Sequence, residues 1–459
     1  MKVLFASSEL APLVRVGGLA YAAAGMAQAL RDAGVDITVV IPDYGTFDAE
    51  LGPPRPLQMP GWVGITTYRR GTFGRRVPLI ALRTPEIERS HPYTDDHGRG
   101  WPDNDFRFMA FAAAVARIGE ELEVDVLHVN DWHAAAALGF QTVPRPSALT
   151  IHNLAYQGST HLGWLDVMTH RPEAYEWYGT VNPLSGAIAL ADRVITVSEN
   201  YAREIQSPAN GAGLDEALRA RSSALTGILN GIDTTEWNPA TDRHLAASYD
   251  PSDMTGKAAA RRSLLRELGW DSERSPLIGI VTRLTWQKGV DLALEMTNYL
   301  DRLPARLVLL GSGERRIAEG ARWAAAERPH RVAFIDGFDE PLAHRIFGGA
   351  DLLLMPSRFE PCGLAQMQAM IYGTIPVVTG VGGLRDTVID ADADIERGTG
   401  FIAATAEPLP LLDALHRASR GWRSQPRRKA IQQRGMTRDW SWRAPAARQI
   451  ELYESMLAG

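Results

Sequence analysis

Short apolar runs alternate with longer alanine-rich stretches along most of this chain. Runs of strand length fall at residues 2–6, 36–41, 77–82, 124–129, 148–151 and 193–197, with stretches of helical composition between several of them. Strands that alternate with helices predict a parallel, doubly wound sheet. A polar, irregular passage at 237–253 interrupts the alternation. It restarts with a helix-like segment at 257–268 and strand-like runs near 277–281, 306–310, 332–335, 351–355 and 375–378. The economical fold class is α/β, with two Rossmann-like domains facing across a cleft. The last segment, 440–457, is amphipathic and alanine-rich and reads as a closing helix. Residues 87–104 (IERSHPYTDDHGRGWPDN) have no periodicity, and a loop of that length in a compact domain is usually functional or disordered.

Three of the predicted strands lead into candidate chemistry. The buried-strand run DLLLM (351–355) ends in Pro356 and continues as SRFEPCGLAQ (357–366), which supplies one carboxylate, Glu360, a rigid Pro361 and a bare Gly363. A carboxylate at a strand end, followed by a helix N-terminus, suits a ligand with sugar hydroxyls on one side and phosphates on the other. The strand at 277–281 runs into TRLTWQKG (282–289), so Arg283 and Lys288 fall just past its C-terminal end. In parallel α/β sheets that edge binds ligands. Near the N-terminus, the strand at 2–6 leads through Arg15, Val16, Gly17 and Gly18 into a helix-like run, and the glycine pair lets backbone amides approach a ligand.

Bulk properties narrow the class. A chain of 459 residues exceeds one ordinary core, so two or three domains are expected. Hydrophobic content of 45% and charged content of 22% are those of a soluble globular protein. A net charge of −6 gives no electrostatic footprint for nucleic acid. The single cysteine, Cys362, excludes an internal disulfide framework and fits a reducing cytoplasm. No apolar stretch reaches the ~18 residues of a membrane span, and the strand pattern at the very start predicts no signal peptide.

These segments, taken together, resemble the glycogen and bacterial starch synthases, which extend α-1,4-glucans from nucleotide-activated glucose. The resemblance runs the length of the chain. It includes HVNDWHA (128–134), TIHNLAYQG (150–158), ADRVITVS (191–198), ILNGID (228–233), TRLTWQKG, HRIFGGADLLLMPSRFEPCGL (344–364) and GGLRDTV (382–388). It implies the GT-B arrangement, with an acceptor-side domain at 1–240, a nucleotide-sugar domain at 255–438 and a final segment at 439–459 that crosses back to the first domain. It also implies a retaining glycosyltransferase using ADP-glucose, working without a metal or other cofactor. Its partners would be a nucleotide-sugar donor and a glucan or small carbohydrate acceptor.

Residue by residue, the resemblance implies that Arg283 and Lys288 stabilise the departing diphosphate. At ~4 Å and an effective dielectric near 20, each such charge pair contributes roughly 4 kcal/mol before desolvation. Glu360 would hold hydroxyls of the donor glucose, and Cys362, Gly363 and Leu364 would present backbone N–H groups, as would Gly382 and Gly383 to phosphate. His152 would border the anomeric carbon, with Asp131 near donor and acceptor and Asn230 on the donor sugar. Arg15, Gly17 and Gly18 would contact phosphate. Phe338 is either a core phenylalanine or the aromatic that stacks on the base. Trp101, Asn104 and Asn153 fall on the acceptor side.

Three positions depart from the family pattern: Arg15 replaces a lysine, Tyr21 an acid and Val381 a threonine. Loss of a carboxylate and a hydroxyl removes partners that discriminate between substrates. An alternative therefore stays open: a natural-product glycosyltransferase or pseudo-glycosyltransferase on the same scaffold, with another sugar or cyclitol donor and a small acceptor. A dinucleotide redox enzyme would need a complete glycine fingerprint, and Gly311-Ser-Gly313 is only a fragment of one. Retention of Arg283, Lys288 and Glu360 argues against a catalytically dead carbohydrate binder. Asp390, Asp392 and Asp394 read as a charged surface loop rather than a metal site. His91, Asp95, Asp96 and His97 fit no standard zinc spacing.

Overall fold

The computed structural model describes residues 1–46, 49–95, 98–271, 275–300 and 303–458. It divides into two compact units, Met1–Gly231 with the segment from Trp442 onward, and Ile232–Ser441.

The first unit is built on a nine-stranded sheet. Its strands are β1 (Lys2–Ala6), β2 (Asp36–Pro42), β3 (Arg55–Leu57), β4 (Thr66–Phe73), β5 (Val77–Arg83), β6 (Val126–Asn130), β7 (Ser147–Ile151), β10 (Arg193–Thr196) and β11 (Leu225–Gly227); β8 (Glu176–Trp177) and β9 (Thr180–Val181) form a separate hairpin. The spatial order is β11-β10-β7-β6-β1-β2-β5-β4-β3, parallel except for the antiparallel β5-β4-β3 edge. β6 and β7 are buried at every residue, which is why they read as unbroken apolar runs. β4 is buried only at Thr66, Tyr68 and Phe73 and carries Arg69 and Arg70, so its run is not continuous in sequence.

Helix Gly18–Asp32 packs an alanine-rich face on this sheet, and the final helix, Arg443–Ala458, packs on helix Gly18–Asp32. The contact is close. A Cβ built at Gly25 would lie 2.0 Å from the indole nitrogen of Trp442, so glycine is what admits the tryptophan there.

The described residues of the 87–104 segment are irregular up to helix Asn104–Leu122, but they are firmly tied. The fully buried Arg107 donates to the backbone carbonyls of Glu86 (2.9 Å), Pro92 (3.0 Å) and Ile87 (3.1 Å) and to Asn104 Oδ1 (2.7 Å). A guanidinium has five donors and no acceptor, so it can gather several carbonyls that the loop would otherwise leave unpaired.

The second unit is a six-stranded, wholly parallel sheet: β12 (Leu277–Val281), β13 (Arg306–Gly311), β14 (Val332–Asp336), β15 (Leu352–Met355), β16 (Ile375–Thr379) and β17 (Phe401–Ala403). Its order, β14-β13-β12-β15-β16-β17, reverses direction between β12 and β15. That is the doubly wound order in which ligands bind beyond the strand ends at the reversal. The irregular passage before helix Thr255–Glu267 belongs to this unit and is anchored in it. Trp237 stacks on His344 with ring centroids 3.9 Å apart, and Asp242 pairs with His344 Nδ1 at 2.7 Å. The buried ammonium of Lys257 donates to the carbonyls of Gly348 (3.1 Å) and Tyr372 (2.8 Å) and to Thr374 Oγ1 (2.8 Å).

No helix among the described residues is long and apolar enough to cross a membrane.

Candidate active site

In the second unit the segments after β12 and β15, the two strands flanking the reversal, meet. Lys288 Nζ lies 2.6 Å from Glu360 Oε2, and the same oxygen accepts from Ser357 Oγ at 3.1 Å. Glu360 is only 4% exposed, so its charge is held by these two donors rather than by water. A second pair laces the loops together. The guanidinium of Arg358 forks onto Asp291 at 2.8 and 2.7 Å and also donates to the carbonyl of Trp286, while its backbone N–H donates to Gln287. Hydrogen bonding from Arg358 holds the Asp291 carboxyl below its ordinary range. Arg283 is exposed just past β12.

Gly382 and Gly383 open a six-residue helix against this segment. A Cβ at Gly382, where φ is 42°, would sit 2.0 Å from the Glu360 carbonyl oxygen, and the N–H of Gly383 donates to that same carbonyl at 3.0 Å. This corrects one sequence expectation. The Gly383 amide is spent on seating the Glu360 segment rather than left for a phosphate.

Cys362 is buried and in no disulfide, Gly363 has φ 74°, and Leu364 precedes helix Ala365–Ile371. Phe338 follows β14 and is 74% exposed, which rules out the core reading of that residue. Val381 caps the Gly382 helix and is half-buried.

The first unit's sheet also reverses, between β1 and β6, and polar groups collect there. Asp131 follows β6 in left-handed backbone (φ 52°), a conformation that aspartate tolerates. Its Oδ1 accepts the amides of His152 (2.7 Å) and Asn153 (3.4 Å), which follow β7. Burial raises the Asp131 pKa from 3.8 to about 7; those two amides pull it down, and the charge of Glu9 pushes it up. His152 Nε2 pairs with Asn130 Oδ1 at 2.9 Å, and burial lowers its pKa to about 3. Burial does the same to His128 and His133, so all three imidazoles are neutral at pH 7. His152, Asn130 and Asn230 line one small cavity, with room for about one water molecule.

Sequence reasoning missed Glu9. This buried residue, 4% exposed, lies between β1 and the glycine pair. Its Oε2 accepts the amides of Val16 (2.9 Å) and Gly17 (2.8 Å), and its Oε1 accepts the Tyr93 hydroxyl (2.8 Å). The Gly17 amide is therefore occupied from within, although space beside both glycines is open, with no heavy atom within 4 Å of a Cβ at either. Arg15 is exposed and Tyr21 half-buried. A carboxylate shortly past a strand end, as at Asp131, was the available signal.

The acceptor-side residues divide. Both ends of the Asn104 amide serve its own loop, with Nδ2 on the Tyr93 carbonyl (2.9 Å) and Oδ1 on Arg107, so it organises the loop rather than offering itself to a sugar. Half-buried Trp101 donates to the His91 carbonyl at 2.9 Å and has the Arg89 guanidinium 5.4 Å above its ring. Asn153 is half-buried, its Oδ1 accepting from Ala155. Of the look-alikes, Asp390 and Asp392 pair with Arg417, and Asp394 with Arg397. Asp96 and His97 lie outside the described residues. Among the described residues, no group of three or more His, Cys, Asp or Glu could hold a metal ion.

Comparison with known proteins follows the same lines. The family model for the starch synthase catalytic domain matches residues 2–220, and that for glycosyl transferases group 1 matches residues 266–436. The chain is 45% identical to a glycogen synthase of Alkalilimnicola ehrlichii, covering 99% of both chains. It is 41% identical to one of Halorhodospira halophila, covering 100% of this chain and 99% of that one. Among solved structures, the catalytic domain of starch synthase IV from Arabidopsis thaliana, bound to ADP and acarbose, superposes with a TM-score of 0.90 at 30% identity over 100% of this chain and 99% of that one. Sucrose-phosphate synthase from Thermosynechococcus elongatus, at 18% identity and a TM-score of 0.64 over 100% and 99% of the two chains, shares the fold.

Two doubly wound units, each with functional groups beyond its sheet reversal, define a glycosyltransferase of the GT-B class. More narrowly, the chain belongs to the family of glycogen synthases and starch synthases.

Proposed function

We propose that this enzyme transfers glucose, with retention of configuration, from ADP-glucose to the non-reducing end of an α-1,4-glucan. The observation that carries this reading is the Lys288–Glu360 pair at the reversal of the second sheet, in a chain of this family. A relative bound to ADP and acarbose supports the nucleotide and the glucan.

In this reading Arg283 and Lys288 neutralise the diphosphate as its bond to the sugar breaks, and Glu360 accepts hydrogen bonds from the sugar hydroxyls. Phe338 stacks on the base. Arg15 and the open space beside Gly17 and Gly18 take phosphate. His152, Asp131 and Asn230 border the reacting sugar, with Trp101 and Asn153 on the acceptor side. The departing phosphate takes the acceptor's proton on the same face, so no carboxylate forms a lasting covalent bond. Two cations do the work of a metal, and activity is expected to survive a chelator. We assign the enzyme to the cytoplasm on its cysteine usage.

A donor screen with ADP-, UDP- and GDP-glucose and cyclitol nucleotides, against glycogen and small acceptors, tests the proposal. Transfer to glycogen from ADP-glucose, unchanged by EDTA, is the expected result. Absence of glucosyl transfer to glycogen from every donor would refute it and favour a small acceptor, which the substitutions at Arg15, Tyr21 and Val381 would then explain.

A further inference from the structure

We propose that the buried carboxylate of Glu9 is a positioning residue that joins the glycine segment to the 87–104 loop, so that the enzyme's grip on the acceptor and on the donor diphosphate are set together. This rests on the reading of those two segments given above. The carboxylate is the shared node: Val16 and Gly17 donate to one oxygen and Tyr93, 84 positions along the chain, donates to the other. Tyr93 is fixed in turn. Its hydroxyl also pairs with Ser8 Oγ at 2.8 Å, and its ring stacks on His133 with centroids 4.8 Å apart. Its backbone carbonyl receives Asn104 Nδ2 (2.9 Å) and the amide of Trp101 (3.2 Å). A displacement at Trp101 therefore reaches Tyr93 through one peptide group, and Gly17 through one carboxylate.

Donors converging on a buried carboxylate make charge-assisted hydrogen bonds, which are short and geometrically demanding. Position matters for this reaction. When the leaving phosphate takes the acceptor's proton, both must lie on one face of the sugar, and small misplacements are costly in rate. A single buried carboxylate that fixes both segments supplies that correlation, whereas two independently mobile loops would not.

The test needs two variants and one measurement that does not depend on turnover. Tyr93→Phe removes only the hydroxyl and keeps the stack on His133. Glu9→Gln keeps the shape but replaces one acceptor oxygen with a donor. In hydrogen exchange without substrate, the amides of Val16 and Gly17 should exchange about tenfold faster in Tyr93→Phe than in the parent, as expected when one charged hydrogen bond is lost. Unchanged exchange there would overturn the linkage, whatever the enzyme's substrates prove to be. In steady-state assays the donor KM of the parent should fall severalfold between low and saturating glucan. Each variant should lose that dependence, and the double variant should be no worse than the worse single one. A variant that keeps the dependence, or effects that multiply, would count against the proposal. Should Glu9→Gln fail to fold, Tyr93→Phe alone decides both measurements.

Discussion

In the second unit the sheet reversal is charged. Lys288 and Glu360 pair at 2.6 Å, Arg358 forks onto Asp291, and Arg283 stands exposed just beyond β12. In the first unit the groups at the ends of β6 and β7 are buried and nearly neutral. Asp131 is pushed to a pKa of about 7, and His128, His133 and His152 are held uncharged. The same topology thus carries two electrostatic solutions. A diphosphate gathers negative charge as it leaves, and fixed cations meet that need where they stand. A glucan is a neutral polyol, and partners for it need hydrogen-bonding capacity without the cost of desolvating an ion. The pairing of Lys288 with Glu360 has a further consequence. The ammonium already has a carboxylate partner, and under the proposed function a diphosphate would compete with Glu360 for it.

The largest effect should come from removing that ammonium. Lys288→Ala is expected to lower turnover by roughly a hundredfold or more, since its charge counts most as the bond breaks. It also leaves Glu360 with only Ser357 and water. Lys288→Arg should recover part of the rate, as the charge returns in a planar fork of different reach. Initial rates with saturating donor and glucan provide the check. A fully active Lys288→Ala would remove the charged half of the comparison.

The neutral half is tested by pH. A carboxyl raised from 3.8 to about 7 keeps its proton in the folded state while the unfolded chain has given it up. Across that window the folded state binds the extra proton, so Asp131 costs stability progressively as pH rises from about 4 to 7, and the full cost remains above. Asp131→Asn keeps an oxygen for the amides of His152 and Asn153 and abolishes the titration. Its melting temperature relative to the parent should therefore climb by several degrees between pH 4.5 and 8, at roughly 2–4 °C per kcal/mol for a unit of this size. The three neutral histidines titrate in both proteins and cancel in the difference. A flat difference across that range would show that Asp131 ionises normally.

The second unit was the more legible of the two. Its sheet is buried on both faces, so LIGIV at 277–281 and LLLM at 352–355 stand out as continuous apolar runs, and the residues just beyond them carry the charges. What escaped notice had physical reasons. β4 carries the adjacent arginines Arg69 and Arg70, which break its apolar run, and β11 and β17 are three residues long, too short for any period to register. Glu9 and Tyr93 belong to no spaced motif; what joins them is folding across 84 positions. Gly17 and Gly383 were read as places where a ligand phosphate approaches the backbone. Which partner takes each amide depends on side-chain and loop direction that a glycine motif does not encode, and in both cases the partner came from within.

The smallest expected effect concerns the one apolar group proposed for donor contact in the charged unit. Phe338 is 74% exposed beyond β14, so removing it deletes little buried surface and should leave the melting temperature unchanged. Under the proposed function it stacks on the base of the donor, a contact worth about 1–3 kcal/mol. Phe338→Ala should accordingly raise the donor KM about tenfold with turnover within about twofold, because the base is bound alike in ground and transition states. Phe338→Trp should restore the KM. This separates the two contributions of the second unit: Lys288 acts on turnover through charge, and Phe338 acts on binding through an apolar face. If Phe338→Ala lowered turnover and left the donor KM alone, the nucleotide would have to be held elsewhere, and the division of labour within that unit would need to be redrawn.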